Sequence, residues 1–370
     1  MNSGMISIKR LRYEPFMTIR NETVHDWPQL LLGWFRTHRR DLPWRTTPRD
    51  PYKVWVSEIM LQQTKVEAVR PYYENWLDHF PTVAALAGAS QEDVLRQWQG
   101  LGYYSRARNL HQAVCEVQSR YGGKVPDTEK DMLSLKGVGA YTAGAVLSIA
   151  YGRPVPAVDG NVLRIFSRLY LIEDNILSAK VKKEVTHLVQ EVIPHDAPGD
   201  FNEALMDLGA GVCIPRSPRC QECPVISCCQ AHEKGREKEL PVRLVKKEKP
   251  VVDVTVLVVS DGRSWLIHRR PEKGLLASMW EFPSAEGKGR AGLDAVRARL
   301  KEAGIRTGDV TGPAGTLRHV FSHKIWQMTV YTAPYTEGTL DDKEDWQWLP
   351  QADYTRVPWA GPHGKITAIV

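Results

Sequence analysis

The chain has 370 residues, 42% of them hydrophobic, and a formal net charge of +6. This length predicts two to three domains, the hydrophobic content is ordinary for globular protein, and the modest basic excess permits a polyanionic partner without requiring one. No apolar run reaches the ~18 residues that a membrane span needs and no secretory signal is recognisable, so we expect a cytoplasmic protein.

Sequence character divides the chain into a helical part and a strand-rich part. We expect residues 1–16 to be a disordered extension, 17–238 a helical domain, 239–250 a charged linker bounded by prolines, and 251–370 an α+β domain. In the helical part, apolar residues recur at helical spacing. This spacing predicts helices over residues 24–35, 52–64, 80–110 with a break at 100–104, 140–151, 162–170, 180–192 and from 201 onward.

Glu58 lies in the predicted helix that begins at Asp50-Pro51. Its neighbours three and four positions away are apolar residues and a glutamine, so no lysine or arginine is placed to pair with it along the helix. The carboxyl therefore shares a face with apolar side chains, where desolvation makes it a proton donor near neutral pH. On the pattern alone, a partly exposed glutamate at the edge of the stripe is the more frequent arrangement.

Residues 135–162 combine a glycine turn, a helix rich in small residues and an aspartate. The turn Gly137-Val138-Gly139 precedes the predicted helix 140–151, whose first amide N–H groups suit a phosphate oxygen. Asp159 stands just before the next apolar-periodic run. This layout fits an enzyme that grips a nucleic-acid backbone and acts on one nucleotide, although an ordinary helical hairpin with an N-capping aspartate has the same pattern.

Five of the six cysteines fall within seventeen residues, which is typical of a metal or cluster site rather than a disulfide framework. Cys213, Cys220, Cys223 and Cys229 offer four thiolates, with Cys228 as a less favoured alternative to Cys229. Four thiolates hold either a structural zinc ion or a 4Fe-4S cluster, and the thiolate chemistry alone leaves both open.

The C-terminal part alternates strands and one helix. Strand-like runs 251–260 and 264–269 flank the hairpin signal Asp261-Gly262. We then predict a loop over 274–283, a helix over 293–303, two strands around 317–332 and one at 346–349. Phe321-Ser322-His323 lies between the strand-like runs, and from the pattern alone it is a strand edge with an incidental histidine.

In their order and spacing these motifs resemble the MutY family of adenine DNA glycosylases. The hairpin and Asp159 resemble the helix–hairpin–helix glycosylase signature, with Lys136 where a proline is usual, and the four-cysteine spacing resembles the iron–sulfur loop of that branch. The C-terminal domain resembles the Nudix fold. Of the positions that hold Mg²⁺ in Nudix hydrolases only one is acidic here, which makes diphosphate hydrolysis unexpected. Those positions are Gly289, Ala298, Lys301 and Glu302.

The resemblance implies a monofunctional glycosylase that removes adenine opposite 8-oxoguanine and leaves an abasic site. Endonuclease III-like lyases carry a lysine at the position of Tyr141, and tyrosine cannot form their Schiff base. The implied catalytic residues are Glu58 as acid, Asp159 as stabiliser of the sugar cation, and Tyr141 and Asn161, which orient Asp159. The implied substrate contacts are Arg45 and Glu203 on adenine, Gln63 and Tyr103 in the gap left by flipping, Leu61 and Thr64 beside them, and Phe321, Ser322 and His323 on the opposite base.

The resemblance also implies a 4Fe-4S cluster on Cys213, Cys220, Cys223 and Cys229, and DNA-backbone contacts from Gly137, Val138 and Gly139. We expect a monomer that binds duplex DNA containing adenine opposite 8-oxoguanine or guanine, in the cytoplasm and associated with the nucleoid. Two rivals remain: an endonuclease III-like bifunctional glycosylase and lyase, and a non-catalytic DNA-binding protein with a structural zinc.

Overall fold

The computed structural model describes residues 26–244, 248–340 and 345–370, so the predicted extension 1–16 lies outside the described residues. None of the helices in these ranges is both long enough and apolar enough to cross a bilayer. The helices are α1 (Trp27–His38), α2 (Pro51–Leu61), α3 (Val66–His79), α4 (Val83–Ala87), α5 (Gln91–Gln97), α6 (Ser105–Tyr121), α7 (Glu129–Ser134), α8 (Ala140–Tyr151), α9 (Gly160–Leu169), α10 (Ala179–Val192), α11 (Pro198–Gly211), α12 (Gln230–Glu233), α13 (Gly289–Glu302) and α14 (Gly361–Gly364).

The helical part has two apolar cores. Helices α2 to α8 enclose the first, which is rich in aromatic residues such as Trp55, Trp76 and Trp98. Helix α1 and helices α9 to α11 enclose the second, around Phe166 and Phe201. Because α8 belongs to the first core and α9 to the second, the segment that joins them runs between the two cores.

Two predicted helices are shorter than the apolar pattern indicated. Helix α2 ends at Leu61 rather than at residue 64, because Gln62 is extended and Gln63 has a positive φ of 58°. The segment 80–110 forms α4, α5 and the start of α6 instead of one broken helix. The hydroxyl of Thr82 caps α4 and that of Ser90 caps α5, and each cap restarts the helix.

Helix α8 and the segment that follows it pack with almost no space between their backbones. A Cβ atom on Gly144 would lie 1.9 Å from the carbonyl oxygen of Pro156. Only glycine tolerates this approach, and the approach fixes the path of residues 156–158 towards the N-terminus of α9.

The C-terminal part is a mixed sheet built around its first strand. The strands are β1 (Val251–Ser260), β2 (Ser264–Arg269), β3 (Trp280–Glu281), β4 (Ser284–Glu286), β5 (Ile305–Thr307), β6 (Thr311–Val320), β7 (Ile325–Gly338) and β8 (Trp346–Pro350). β1 pairs in parallel with β7 and antiparallel with β2 and β4. β3 and β8 pair with β2, and β5 and β6 pair with β7.

The sheet is covered on both faces. Helix α13 packs against Leu257 and Val259 of β1, whereas Trp359 and Ile366 near the C-terminus belong to the apolar cluster of Val256 and Val258. The predicted strands 251–260 and 264–269 are confirmed as β1 and β2. The predicted loop 274–283 is wrong in part, because Trp280-Glu281 pairs with β2 as β3. The predicted helix 293–303 begins earlier, at Gly289.

The contact between α8 and Pro156 predicts opposite effects for two helical glycines. Gly144→Ala should lower the thermal unfolding midpoint, because its new methyl group meets a backbone oxygen and overpacking costs ~1–3 kcal/mol. Gly33→Ala in α1 has nothing within 4 Å of its new Cβ, so it should raise the midpoint slightly by removing a glycine from a helix. Circular dichroism melting curves of both variants check this, and equal shifts would contradict the account.

Candidate active site

The carboxyl of Glu58 is buried on α2 and has one hydrogen-bond donor. Glu58 is 4% exposed, and the Tyr141 hydroxyl at the start of α8 donates to its Oε2 over 2.7 Å. Burial raises the pKa of Glu58 to about 7, against the lowering effect of the Tyr141 hydrogen bond and with a further increase from the nearby charges of Glu203 and Asp159. A carboxyl with this pKa carries a proton for about half of the time at neutral pH, as a general acid requires.

Asp159 caps α9 and is held by every donor at that helix end. Its Oδ1 accepts from the backbone amides of Asn161 and Val162, each over 2.8 Å, and its Oδ2 accepts from the Asn161 side chain over 2.8 Å. Burial raises the pKa of Asp159, and these three hydrogen bonds together with the charge of Arg164 oppose the rise. The carboxylate is thus fixed in one orientation.

Arg164 in turn fixes Asn161. Its guanidinium donates to Asn161 Oδ1 over 2.9 Å, to the carbonyl of Gly209 over 2.7 Å and to the carbonyl of Cys213 over 2.7 Å. A Cβ on Gly209 would lie 2.6 Å from the Cβ of Asn161, so α11 presses directly on this residue. Sequence inspection missed Arg164, because a single arginine in an amphipathic helix carries no distinguishing pattern.

Tyr141 and Asp159 line one cavity of about 380 Å³. Its other lining residues are Ala140, Pro156, Val158, Gly160, Leu163, Lys182 and Thr186. The Tyr141 hydroxyl contacts Glu58 while Asn161 holds Asp159, and the orienting role of Tyr141 toward Asp159 stays a prediction. Tyr141 therefore stands between the buried acid and the cavity.

Arg45 and Glu203 belong to an ion cluster beside Glu58. Arg45 Nε donates to Glu203 Oε1 over 3.0 Å, and the Arg45 guanidinium also binds both oxygens of Asp207, at 2.7 and 3.0 Å. Arg49 donates to Glu203 Oε2 over 2.5 Å, and Arg40 binds Asp207 at 2.7 Å. Sequence inspection singled out Arg45 and Glu203 but gave no role to the other three. The sequence did contain a signal for Asp207, since Glu203 and Asp207 are four residues apart and therefore lie on the same face of a helix.

The helix–hairpin–helix turn has the form that a phosphate contact requires. Gly137 has a φ of +75°, and a Cβ there would lie 2.6 Å from the Cβ of Asn109. Val138 is buried beneath the turn, whereas Gly137 and Gly139 are exposed. Gly139 caps α8 without a side-chain acceptor, so the first amides of α8 face outward.

Gln63 and Tyr103 lie in two turns that are connected by the side chain of one arginine. Both have a positive φ, 58° and 47°, and Tyr103 is 44% exposed. Arg106 joins the turns by donating to Gln62 O over 2.5 Å and Gly102 O over 3.1 Å. Arg106 is buried, and its guanidinium is therefore a structural contact rather than part of a solvated basic face. Arg106 also donates to Thr64 Oγ1 over 3.3 Å, and Leu61 is the last residue of α2.

Phe321, Ser322 and His323 form the turn between β6 and β7, away from Glu58 in the chain and in a different domain. The Phe321 ring packs edge-on against Trp326 with centroids 5.0 Å apart, while Ser322 and His323 are exposed. Lys249 Nζ donates to the Phe321 carbonyl over 2.8 Å. A fixed aromatic ring and two exposed polar side chains therefore stand at the tip of a hairpin.

Cys213, Cys220, Cys223 and Cys229 line one cavity of about 30 Å³, and Cys228 is outside the lining. Two buried atoms on its wall, His232 Nδ1 and Glu237 Oε2, have no hydrogen-bond partner. Among the described residues no three cysteine sulfurs lie within 4.8 Å of one another. One ligand atom each of Cys220, His232 and Glu237 lie within 4.8 Å of one another, so the lining offers donors for a single ion as well as four thiolates for a cluster.

Comparison with known proteins gives the family. Residues 56–194 match the HhH-GPD superfamily of base excision DNA repair proteins, and residues 254–368 match the NUDIX domain. Adenine DNA glycosylases of Rattus norvegicus and Homo sapiens are both 36% identical to the chain, over 82% and 81% of its length and 69% and 65% of their own. A thermostable thymine-DNA glycosylase has a TM-score of 0.51 and 30% identity, over 57% of this chain and 97% of that one.

The chain belongs to the adenine DNA glycosylase family. It spans about two thirds of the length of the rat and human adenine DNA glycosylases. The resemblance stated from the motifs is confirmed, and so is the fold class: a helical glycosylase domain followed by a strand-containing Nudix-like domain. As a member of this family the chain is a DNA glycosylase, and Glu58 and Asp159 are the two carboxyl groups at its candidate active site.

The burial of Glu58 predicts a pH-dependent stability difference. Because its pKa is about 7 when folded and 4.5 in its ordinary state, the folded protein holds this proton more tightly than the unfolded chain. The stabilisation is complete below about pH 4.5 and is lost as the pH rises through 7, which amounts to ~3 kcal/mol. Glu58→Gln should therefore gain stability relative to the parent between about pH 5 and 8.

Unfolding midpoints measured across this pH range check the prediction. The matched control is Glu74→Gln, because Glu74 is an exposed glutamate on α3. Its difference from the parent should stay flat with pH. A flat difference for Glu58→Gln as well would show that the Glu58 carboxyl is not desolvated.

Proposed function

We propose that this chain removes adenine paired with 8-oxoguanine from duplex DNA, by hydrolysis and without cutting the strand. The observation that carries the proposal is the Glu58–Tyr141 pair, a buried carboxyl with a pKa of about 7 directly behind the cavity that Asp159 lines. We further propose that it acts as a monomer on nucleoid DNA in the cytoplasm.

The proposed reaction uses the two carboxyl groups differently. The adenosine nucleotide is flipped out of the duplex into the cavity. Glu58 gives its proton to adenine N7, the C1′–N9 bond breaks, and its electron pair leaves with the base. Asp159, still ionised, stabilises the positive charge that develops on the sugar. Water then adds to C1′ and gives a proton to the Glu58 carboxylate, which restores the acid and leaves an abasic site and neutral adenine.

Tyr141 supports hydrolysis rather than lyase chemistry. A lyase needs an amine that attacks C1′, and the phenol of Tyr141 cannot form a Schiff base. Lys182, on the exposed face of α10, is the one lysine that lines the cavity of Asp159 among the described residues. We assign Lys182 to a phosphate beside the flipped nucleotide, and its place on the cavity wall makes the lyase the alternative that must be tested.

The cysteine cavity is proposed to hold a 4Fe-4S cluster. Cys213, Cys220, Cys223 and Cys229 would be its ligands, and the cluster would stiffen the loop that follows α11. Arg168 NH1 donates to Cys213 Sγ over 3.2 Å and also to the carbonyl of Ile214 over 2.9 Å, so this guanidinium holds the first ligand in place.

The Nudix-like domain is proposed to read the base opposite adenine. Phe321 would stack on that base, and Ser322 and His323 would hydrogen-bond to its edge. Its helix α13 supplies one acid at the four Mg²⁺ positions, so the domain is assigned to recognition and not to diphosphate hydrolysis.

A single-turnover assay on a duplex with one adenine opposite 8-oxoguanine tests the proposed reaction. We expect strand scission only after alkali, no product trapped by borohydride, and a loss of ~10²–10⁴-fold in rate for Glu58→Gln, since one general acid contributes this much. Scission without alkali that disappears in Lys182→Met would establish the lyase instead. DNA binding without release of adenine would establish the non-catalytic binder.

Iron analysis of two neighbouring variants tests the cluster assignment. Cys229→Ser should lose iron and the brown absorbance near 400 nm, because it removes one lining thiol. Cys228→Ser is the matched control one residue away and should keep both, since Cys228 is outside the lining. Zinc instead of iron in the parent protein, or equal losses in the two variants, would count against the assignment.

A further inference from the structure

A short loop of the Nudix-like domain is buried in the glycosylase domain. The loop, residues 274–279, precedes β3, and its last residue Met279 is fully buried within the apolar core formed by α2 to α8. Leu276 packs against the cores of both domains. Arg108 of α6 donates from NH1 to the carbonyl of Ala277 over 2.8 Å. We call residues 274–279 together with Arg108 the docking contact.

Arg270 determines the shape of this loop from within its own domain. Its Nε donates to the carbonyl of Leu275 over 2.9 Å, and its backbone amide donates to the carbonyl of Met279 over 2.9 Å. Leu276 and Ser278 both have a positive φ, 55° and 60°. Such conformations are costly for residues other than glycine and persist only where the surroundings impose them.

The same arginine is anchored on a buried carboxylate. Glu281 accepts from Arg270 and lies 3.4 Å from His268 and 3.5 Å from His363. Burial alone would raise the pKa of Glu281, but His268, His363 and Arg270 lower it to about 2. The anchor is therefore charged at neutral pH, where its ion pair holds Arg270 in place.

Arg270 also reaches the turn that carries Phe321. Its guanidinium lies over the Trp326 ring at 5.7 Å, and Trp326 packs edge-on against Phe321 at 5.0 Å. Arg270 thus contacts both the loop that enters the glycosylase domain and the aromatic pair that holds Phe321.

On the glycosylase side, the docking contact lies close in sequence to an arginine that holds the end of the helix carrying the general acid. Arg108 stands two residues after Arg106, which donates to the carbonyls of Ile59 and Met60 at the end of α2, each over 2.9 Å. α2 is the helix that carries Glu58. A continuous set of contacts therefore connects the docking contact to the helix of the general acid on one side and to Phe321 on the other.

We propose that the docking contact sets the position of Phe321 relative to the adenine cavity and so determines how strongly the enzyme prefers 8-oxoguanine over guanine opposite adenine. Arg108 and Met279 are positioning residues for this preference, since neither lies on the cavity wall that Asp159 shares. The inference rests on the proposed function and adds to it the contact by which the recognition domain acts on the reaction.

The test compares single-turnover rates on two duplexes, with adenine opposite 8-oxoguanine and opposite guanine, at saturating full-length enzyme. We expect Arg108→Ala and Met279→Ala each to lower the ratio of the two rates about tenfold, as expected for one hydrogen bond from a charged donor or one buried side chain. The rate opposite guanine should change little. Arg108→Lys keeps a donor and should recover part of the ratio.

Arg120→Ala is the control for charge, because Arg120 lies on the same helix, is half exposed and contacts Glu116 and the Tyr121 side chain, both on that helix. It should leave the ratio unchanged. A variant that merely loosened the fold would slow both reactions and leave their ratio intact, so the ratio separates positioning from general damage.

Combining each variant with Phe321→Ala decides whether the docking contact acts through Phe321. If it does, Arg108→Ala should lower the ratio much less in the Phe321→Ala background than in the parent. Equal effects in both backgrounds, or an unchanged ratio in Arg108→Ala, would overturn the inference alone. A parent enzyme without any preference for 8-oxoguanine would overturn the proposed lesion reading, and this inference with it.

Discussion

The buried carboxyl of Glu58 is the constraint on which the helical domain depends. An ionised carboxylate in this position would be costly, and a carboxylate that accepted several hydrogen bonds would have a low pKa and carry no proton to donate. Among the described residues, Tyr141 donates a hydrogen bond to Glu58, and burial on α2 disfavours the ionised form. Arg45 forms ion pairs with Glu203 and Asp207, so its charge is shared with those two acids and not paired with Glu58.

Buried arginines hold the backbone around this acid. Arg106 binds the free carbonyls at the end of α2, and Arg164 binds carbonyls from α11 and the cysteine loop. Each guanidinium satisfies several carbonyls that helix ends leave unpaired, and it does so in a fixed planar geometry. The site is therefore rigid where two helices end, although neither end has a regular cap.

Local patterns predicted the elements and the chemical groups, and tertiary contacts decided the rest. The strands β1 and β2 follow from the strand-like runs on either side of Asp261-Gly262, and helix α8 follows from the glycine turn before it. All of these signals are local. The end of α2 was misplaced because Arg106, more than forty residues away, competes for its carbonyls. The partner of Tyr141 was likewise beyond prediction, since the distance between Glu58 and Asp159 depends on how α8 packs against Pro156.

The buried charge of the Nudix-like domain serves its structure rather than metal-dependent chemistry. Helix α13 carries one acid at the four Mg²⁺ positions, whereas Glu281 places a buried negative charge at the end of β3. Glu281 forms an ion pair with Arg270 inside the domain, and Arg270 shapes the loop that enters the glycosylase domain. A buried ion pair of this kind contributes little net stability but specifies one geometry, because any other arrangement leaves a charge unpaired. Specifying the geometry between two domains is what an enzyme needs when the base it removes and the base it reads lie on opposite strands.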